Sequence, residues 1–135
     1  MFKISTKGDY GLLLLSALGE KMRKGRQFVS LKEIAKERKL SLAYLSQIIL
    51  PLKKAGLVKS KEGRDGGYCL AKSPREITVM QVIEVLEGPV APVRCCSNSG
   101  AKCGSQPYCN VQGTWQDAQG MLTNFLQTKT LEDTM

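Results

Sequence analysis

The apolar and polar positions of this 135-residue chain predict five helices and one β-hairpin. The first helix runs from Thr6 to about Lys24 and carries Leu12, Leu15 and Gly19 at helical spacing, with further apolar residues on its other sides. A helix that is apolar nearly all round is buried, so we expect this segment to lie at the centre of the fold.

Two capped helices are predicted next. Ser30, with Glu33 three residues later, is a capping-box signal for a short helix that begins at Leu31. Ser41 then caps a third helix, which Gly56 ends. The inward positions of the third helix recur at i, i+3, i+4 and i+7: Leu45, Ile48, Ile49 and Leu52. A short helix, a tight turn and a longer helix predict a helix-turn-helix.

The segment 57–70 predicts a β-hairpin. Its strands are 57–61 and 68–70, and the turn between them contains Gly63, Gly66 and Gly67. Glycine adopts the positive φ that tight hairpin turns demand. A helix-turn-helix followed directly by a basic hairpin has the order of a winged helix. The expected fold class is therefore mainly α with a small β-hairpin wing.

Two more helices complete the pattern. Thr78 and Gln81 form a second capping box, and the apolar stripe from Val79 to Leu86 predicts a helix that Gly88 ends. From Thr114 to about 127, the last helix carries a wide apolar face: Trp115, Ala118, Met121, Leu122, Phe125 and Leu126. This face could pack on its own domain, but other helices already cover that small core. We therefore expect a homodimer across the last helix.

The positive charge is concentrated in the front part of the chain. Residues 1–80 contain 17 Lys and Arg against 7 Asp and Glu, whereas residues 81–135 contain 3 against 5. Such a field attracts a polyanion, so double-stranded DNA is the expected partner, although a solvated lysine-rich surface would have the same composition. No apolar stretch has the length of a membrane span, and we expect a cytoplasmic protein without membrane attachment.

The third helix of a winged helix lies in the major groove, with its N-terminal residues at the base edges. Gln47 can pair with adenine through two hydrogen bonds, and Ala43 can pack on a thymine methyl. Tyr44 suits a phosphate or sugar contact or, alternatively, packs inside the domain. The predicted DNA-contacting set spans this helix and the wing: Ser41, Ala43, Tyr44, Ser46, Gln47, Lys53, Lys54, Lys61, Gly63 and Arg64.

Four of the five cysteines fall within fifteen residues: Cys95, Cys96, Cys103 and Cys109. In a reducing compartment such a group is more often a metal or redox site than a disulfide framework. Thiolates are the soft ligands of iron–sulfur clusters and zinc, but the adjacent Cys95–Cys96 pair and the lack of a Cys-x-x-Cys motif disfavour zinc.

The remaining cysteine and the absence of histidine lead to two further predictions. Cys69 lies in the middle of a predicted strand and is expected to be a small core residue. The chain has no histidine for a Cys–His pair, and it has no phosphate-binding loop, so we do not expect an enzyme.

Nearly the whole chain resembles the IscR, NsrR and RirA family of winged-helix transcription regulators. The resemblance is carried by the sequences KGDY at 7–10, LAYLSQ at 42–47, LKKAGLV at 52–58 and GGY at 66–68, and by Arg94-Cys95, Cys103, Cys109 and Trp115. It implies that three cysteines hold an iron–sulfur cluster, with two or four irons, ahead of a dimerisation helix. It also implies that the state of the cluster changes which DNA the dimer binds.

The ligand set departs from the pattern of that family, which separates its first two ligands by five residues. Cys95 and Cys103 are separated by seven residues, and Cys96 and Cys103 by six, so either cysteine is a candidate first ligand. Gln112 stands where the IscR branch has a histidine ligand. The fourth ligand is then the spare cysteine, a small thiol or a carboxylate. For the last of these the resemblance points to Asp9 across the dimer, although Asp9 is equally explained as a charge at a helix N-terminus.

The wing also departs from the IscR branch. Glu62 stands where that branch has an arginine, so we expect a different base preference.

The sequence thus predicts a winged helix-turn-helix domain at 1–88, a cysteine-rich cluster-binding loop at 89–113 and a dimerisation helix with a tail at 114–135. The expected function is that of a homodimeric transcription regulator, a repressor, which binds a palindromic operator. Its signal would be iron, redox state or nitric oxide, sensed by the cluster. The alternative is a regulator of the same fold that senses by cysteine oxidation or through a partner protein. It would hold no cluster, and cysteine-metabolism regulators that resemble IscR do work without one.

Overall fold

The computed structural model describes residues 4–90 and 109–135. Its elements, in chain order, are α1 (Thr6–Arg23), α2 (Leu31–Arg38), α3 (Leu42–Lys54), β1 (Val58–Lys61), β2 (Gly67–Leu70), a 3-10 turn (Pro74–Glu76), α4 (Val79–Glu87), α5 (Gln112–Thr128) and a second 3-10 turn (Leu131–Thr134). The predicted class, mainly helical with a small hairpin, is confirmed. Across the two described stretches, none of the helices combines the length and the apolar character needed to cross a bilayer.

Helix α1 lies at the centre of the molecule, as its apolar pattern predicts. Leu14 and Leu15 are fully buried in the core. Gly11 faces α4 so closely that an added Cβ would stand 2.1 Å from Cδ1 of Leu86. The absence of a side chain at Gly11 therefore lets the two helix backbones approach each other.

The second and third helices begin at the predicted caps. The hydroxyl oxygen of Ser30 accepts the Glu33 N–H at 3.1 Å, and that of Ser41 accepts the Tyr44 N–H at 3.3 Å. The reciprocal half of the box at Ser30 was wrong, because the Glu33 carboxylate accepts hydrogen bonds from Arg26 and Lys21. Charged donors attract a carboxylate more strongly than a neutral backbone N–H does, so Glu33 ties α2 to α1 and to the turn after it.

The hairpin is attached to the helical part through the residue before α2. β1 and β2 pair antiparallel, with Val58 opposite Leu70. Val29 exchanges two backbone hydrogen bonds with Tyr68 on the other edge of β2, at 2.9 and 2.8 Å. The wing is thus held by the α1–α2 connection as well as by its own turn.

The last helices enclose the second part of the core. The capping box of α4 is confirmed, since the Thr78 hydroxyl accepts from the Gln81 N–H and the Gln81 amide oxygen accepts from the Thr78 N–H. Leu122 and Leu126 of α5 pack against Val79, Met80 and Ile83 of α4.

Residues 129–131 return to the start of α4. The Val79 N–H donates to the Lys129 carbonyl at 2.9 Å, and the Leu131 N–H donates to the Ile77 carbonyl at 3.0 Å. The Leu131 side chain is completely buried in the core with α1. The hydrophobic pattern did not predict this closing segment.

Candidate nucleic-acid interface

Helix α3 presents one apolar and one polar face. Its inward residues Leu45, Ile48, Ile49 and Leu52 have at most 1% of their surface exposed. The opposite face exposes most of the predicted DNA-contacting residues of this helix: Ala43, Ser46, Gln47, Lys53 and Lys54. The face that the core leaves free is therefore the one that the sequence assigns to DNA.

The two serines of α3 differ in what they can offer a ligand. The exposed Ser41 uses an oxygen lone pair as the helix cap, so its hydroxyl proton stays available for a phosphate. The Ser46 hydroxyl donates to the Leu42 carbonyl at 2.9 Å, which leaves its oxygen as an acceptor. In this conformation Ser46 is suited to a base donor and Ser41 to a phosphate oxygen.

Tyr44 is half-buried, and its ring packs edge-on against the ring of Tyr10 in α1, with centroids 5.3 Å apart. This contact favours the packing interpretation of Tyr44 over a purely phosphate-binding one. It also connects the start of the third helix to the first turns of α1, where Asp9 lies exposed one residue earlier.

The wing carries the other predicted contacts. Lys61, Gly63 and Arg64 are all exposed. The Lys61 ammonium lies 5.7 Å from the centroid of the Phe28 ring, a cation–π distance. An open cleft of about 520 Å³ separates the wing from the α1–α2 turn, and Lys61 and Arg64 line it.

Ion pairs neutralise part of the basic surface. Hydrogen bonds from Arg26 lower the pKa of Glu33 and raise that of Arg26, and the Glu37 carboxylate raises the pKa of Lys21. Over the described residues, no carboxylate lies within 4.0 Å of the terminal nitrogens of Lys53, Lys54, Lys61 and Arg64. The positive charges at the end of α3 and on the wing are therefore among those left available for a polyanion.

The candidate metal ligands are only partly described. Cys95, Cys96 and Cys103 lie outside the described residues. Cys109 is half-buried just ahead of α5, and Asp9 is exposed in the first turn of α1. Within 4–90 and 109–135, no three Cys, Asp or Glu residues come together as a metal site.

Cys69 is half-buried rather than a core residue, which corrects the prediction from its strand position. It pairs with Lys59 across the hairpin and lines a shallow cleft beside Phe28. A two-stranded hairpin covers only one of its faces, so a mid-strand residue on the other face stays accessible.

Sequence reasoning also missed an exposed side chain in α3. Leu50 has 61% of its surface exposed on the polar face. Leu50 is seven residues from Ala43 and three from Gln47, and this helical spacing could have placed it on the same face.

Comparison with known proteins agrees with this geometry. A family model, Rrf2, described as an iron-dependent transcriptional regulator, matches residues 4–135. The HTH-type transcriptional regulator CymR of Bacillus subtilis is 50% identical over 91 residues, which span 67% of this chain but only 64% of that protein. The HTH-type transcriptional regulator IscR of Cereibacter sphaeroides is 33% identical over 132 residues, which span 97% of this chain and 85% of that protein.

Two solved structures share the fold over nearly all of these 135 residues. CymR, the global cysteine regulator of B. subtilis, superimposes with a TM-score of 0.84 at 40% identity and covers 99% of this chain and 96% of its own. IscR from T. potens has a TM-score of 0.79 at 38% identity and covers 98% of this chain and 85% of its own.

Proposed function

This chain belongs to the Rrf2 family of transcriptional regulators, and from that premise we propose a homodimer that reads a palindromic operator with α3 and the wing. Its family and its relatives are transcriptional regulators, and like them this chain is a DNA-binding regulator and not an enzyme. The observation that carries the proposal is the polar face of α3, which is free of the core and ends in Lys53 and Lys54.

In the proposed complex, α3 lies in the major groove. Gln47 reads a base edge and Ser41 binds a phosphate, while Lys53 and Lys54 contact the backbone. Lys61, Gly63 and Arg64 extend the contact along the same duplex from the wing. The cation–π contact of Lys61 with Phe28 supports this role, because it limits the freedom of the ammonium before DNA arrives.

The dimer is proposed to form across α5. Trp115, Met121 and Phe125 are 39%, 76% and 55% exposed, whereas only Leu126 of this helix is buried in the protomer. A continuous apolar face of this kind is typical of a protein–protein contact. A two-fold dimer would present two α3 helices to two half-sites, which accounts for a palindromic operator.

The sensor is proposed to be an iron–sulfur cluster held by Cys103, Cys109 and either Cys95 or Cys96, with Asp9 across the dimer as candidate fourth ligand. The donor chemistry fits, because soft anionic thiolates are the ligands such clusters use. When bound, a cluster supplies a labile, redox-active centre that is sensitive to iron, oxidants or nitric oxide.

The packing of Tyr10 offers a route from Asp9 to the DNA-reading helix. Tyr10 follows Asp9 directly and packs on Tyr44 of α3. A bond made or lost at Asp9 would displace the first turns of α1 and, through this ring pair, the start of α3. Differential contacts of this type are what couple one site to another.

A cluster-free regulator that senses through cysteine oxidation is the second candidate. It is favoured by the higher structural similarity to CymR, described as a cysteine regulator, than to IscR. A further match is the oxidised form of Staphylococcus aureus CymR, with a TM-score of 0.78 at 35% identity. In this version the thiols of the Cys95–Cys109 segment are the sensor themselves.

One experiment distinguishes the two candidates. The protein is purified without oxygen, its visible spectrum, iron and sulfide are measured, and its DNA binding is compared before and after cluster removal. Brown protein with matched iron and sulfide, whose DNA affinity changes on removal, is expected of the cluster regulator. Colourless protein that binds the same DNA and responds to peroxide would replace the first candidate with the second.

A further inference from the structure

The polar face of α3 contains an apolar side chain at its centre. Ala43, Gln47, Leu50 and Lys54 are spaced by four, three and four residues, so they form one row along the helix, and all four are exposed. Leu50 has 61% of its surface exposed, whereas the adjacent Ile49 has 1%. The exposed leucine therefore stands between a base-reading amide and a phosphate-binding lysine.

We infer that Leu50 is a specificity-determining residue that contacts the C5-methyl group of a thymine; this rests on the proposed function of α3. The only methyl group that the four unmodified base pairs present in the major groove belongs to thymine. A leucine at the centre of the groove-facing row thus has one matching base. Against any other base its apolar surface would gain less, because cytosine offers only a C5–H there and the purines offer polar edges.

The position of Leu50 along the row also defines where this thymine lies. Gln47 is one turn nearer the start of α3, and Lys54 is one turn nearer its end. Base contacts made by the start of the helix therefore precede the Leu50 contact, and the backbone contact of Lys54 follows it. The thymine is expected on the Lys54 side of the base pair read by Gln47.

The test begins with selection of preferred sites from a random duplex library by the full chain, by Leu50→Ser and by Leu50→Met. The wild type should enrich one thymine in each half-site, Leu50→Met should enrich the same thymine, and Leu50→Ser should lose that preference. Because Leu50 is exposed, the serine variant should fold, which circular dichroism checks. Enrichment of no sequence by the wild type would overturn the proposed function, and this inference with it.

A second measurement removes only the methyl group from the selected DNA. Replacing the enriched thymine by deoxyuracil should weaken wild-type binding roughly threefold to tenfold per half-site, the effect of one buried methyl group. Leu50→Ser should bind the two duplexes equally, whereas the control Leu42→Ser, on an exposed residue of α3 outside the row, should retain the difference.

Two results would overturn the inference while leaving operator recognition intact. Equal wild-type affinity for the thymine and uracil duplexes would show that Leu50 makes no contact with a thymine methyl. An unchanged preference for thymine in Leu50→Ser would show that another side chain makes the methyl contact.

Discussion

A methyl group at position 67 would have no space. Gly67 has φ +143°, and an added Cβ would lie 2.4 Å from the Val29 carbonyl oxygen. Gly67→Ala should therefore break the backbone pairing that holds the wing, at a cost of about 1–3 kcal/mol in the free energy of unfolding. Urea denaturation and DNA affinity measure the effect.

The matched control is Gly63→Ala, in the same turn. Gly63 also has positive φ, +106°, but no atom lies within 4 Å of its added Cβ. In urea denaturation this variant should show the smaller loss of stability, from backbone strain alone. Equal losses in the two variants would contradict a steric role for Gly67.

Substitution of the two polar residues that flank Leu50 should affect DNA binding in different ways. Gln47→Ala should lower the preference for specific over random DNA by about 1–3 kcal/mol, because a base-edge contact is lost. Lys54→Ala should weaken binding to every sequence and reduce the slope of log K against log salt by about 1. Titrations on specific and random duplexes at several salt concentrations separate these effects. Similar losses on both duplexes for both variants would remove the assignment of α3 to base recognition.

At the level of the elements, α2 is held to α1 by charge as well as by packing. Arg26 holds the pKa of Glu33 below its ordinary value. A lowered carboxyl pKa stabilises the fold above the pKa of the unfolded chain, and that stabilisation disappears as the pH falls through the folded value. The stability advantage of the wild type over Glu33→Gln should thus be full near pH 7 and shrink below about pH 4.

Urea unfolding of the two proteins at pH values from 7 to 3 tests this expectation. Lys32→Gln is the control. Lys32 is an exposed residue of the same helix, and its substitution changes the charge without removing a carboxylate. Its difference from the wild type should stay nearly constant over this pH range. An advantage over Glu33→Gln that grows on acidification would contradict the sign.

Elements with a periodic pattern and a local cap could be predicted from the sequence. The start of α4 followed from Thr78 and Gln81, because a capping box involves residues three apart, and its end followed from Gly88. The pairings of Val29 with Tyr68 and of Leu131 with Ile77 could not be predicted, since each joins a few residues that are distant in the chain and leaves no periodicity.

The same limit applies to the candidate site. The exposed face of α3 followed from its helical spacing, which also marked Gln47 and Lys54. Whether Tyr44 faces DNA or the core depended on Tyr10, more than thirty residues earlier, and no local pattern contains that contact.

For the whole molecule, the proposed dimer makes a direct prediction. Phe125 is 55% exposed, and the Lys129 ammonium lies 5.5 Å from its ring. Phe125→Glu should preserve the folded protomer, because residue 125 is exposed there, but it should place a charge in the apolar interface of the dimer. Analytical ultracentrifugation should show a shift toward monomer and a parallel loss of operator affinity.

The control carries the same charge on the other side of the helix. Gln127 is exposed and, two residues after Phe125, lies on the opposite side of the helix from it. Gln127→Glu should remain as dimeric as the wild type. A monomeric wild type, or equal dissociation of both variants, would contradict dimerisation through α5.

Residues 129–131 close the core and should therefore contribute to the free energy of unfolding. Leu131→Ala removes a completely buried side chain and should cost about 2–5 kcal/mol. Glu132→Ala removes only an exposed ion pair with Arg75 and should cost less than about 1 kcal/mol. Thermal unfolding of both variants checks this, and equal shifts would show that Leu131 does not contribute to the core as described.

The contact of Leu131 with α1 has a consequence for biosynthesis. A ribosome makes α1 well before Leu131, so α1 lacks this neighbour until α5 has also been made, and the Ser16 and Thr134 hydroxyls meet across 118 positions. Nascent chains that stop earlier keep an apolar gap open and are exposed to proteases and aggregation. Because the cysteines are translated before Leu131, every chain that has closed its DNA-reading core already contains its candidate sensor.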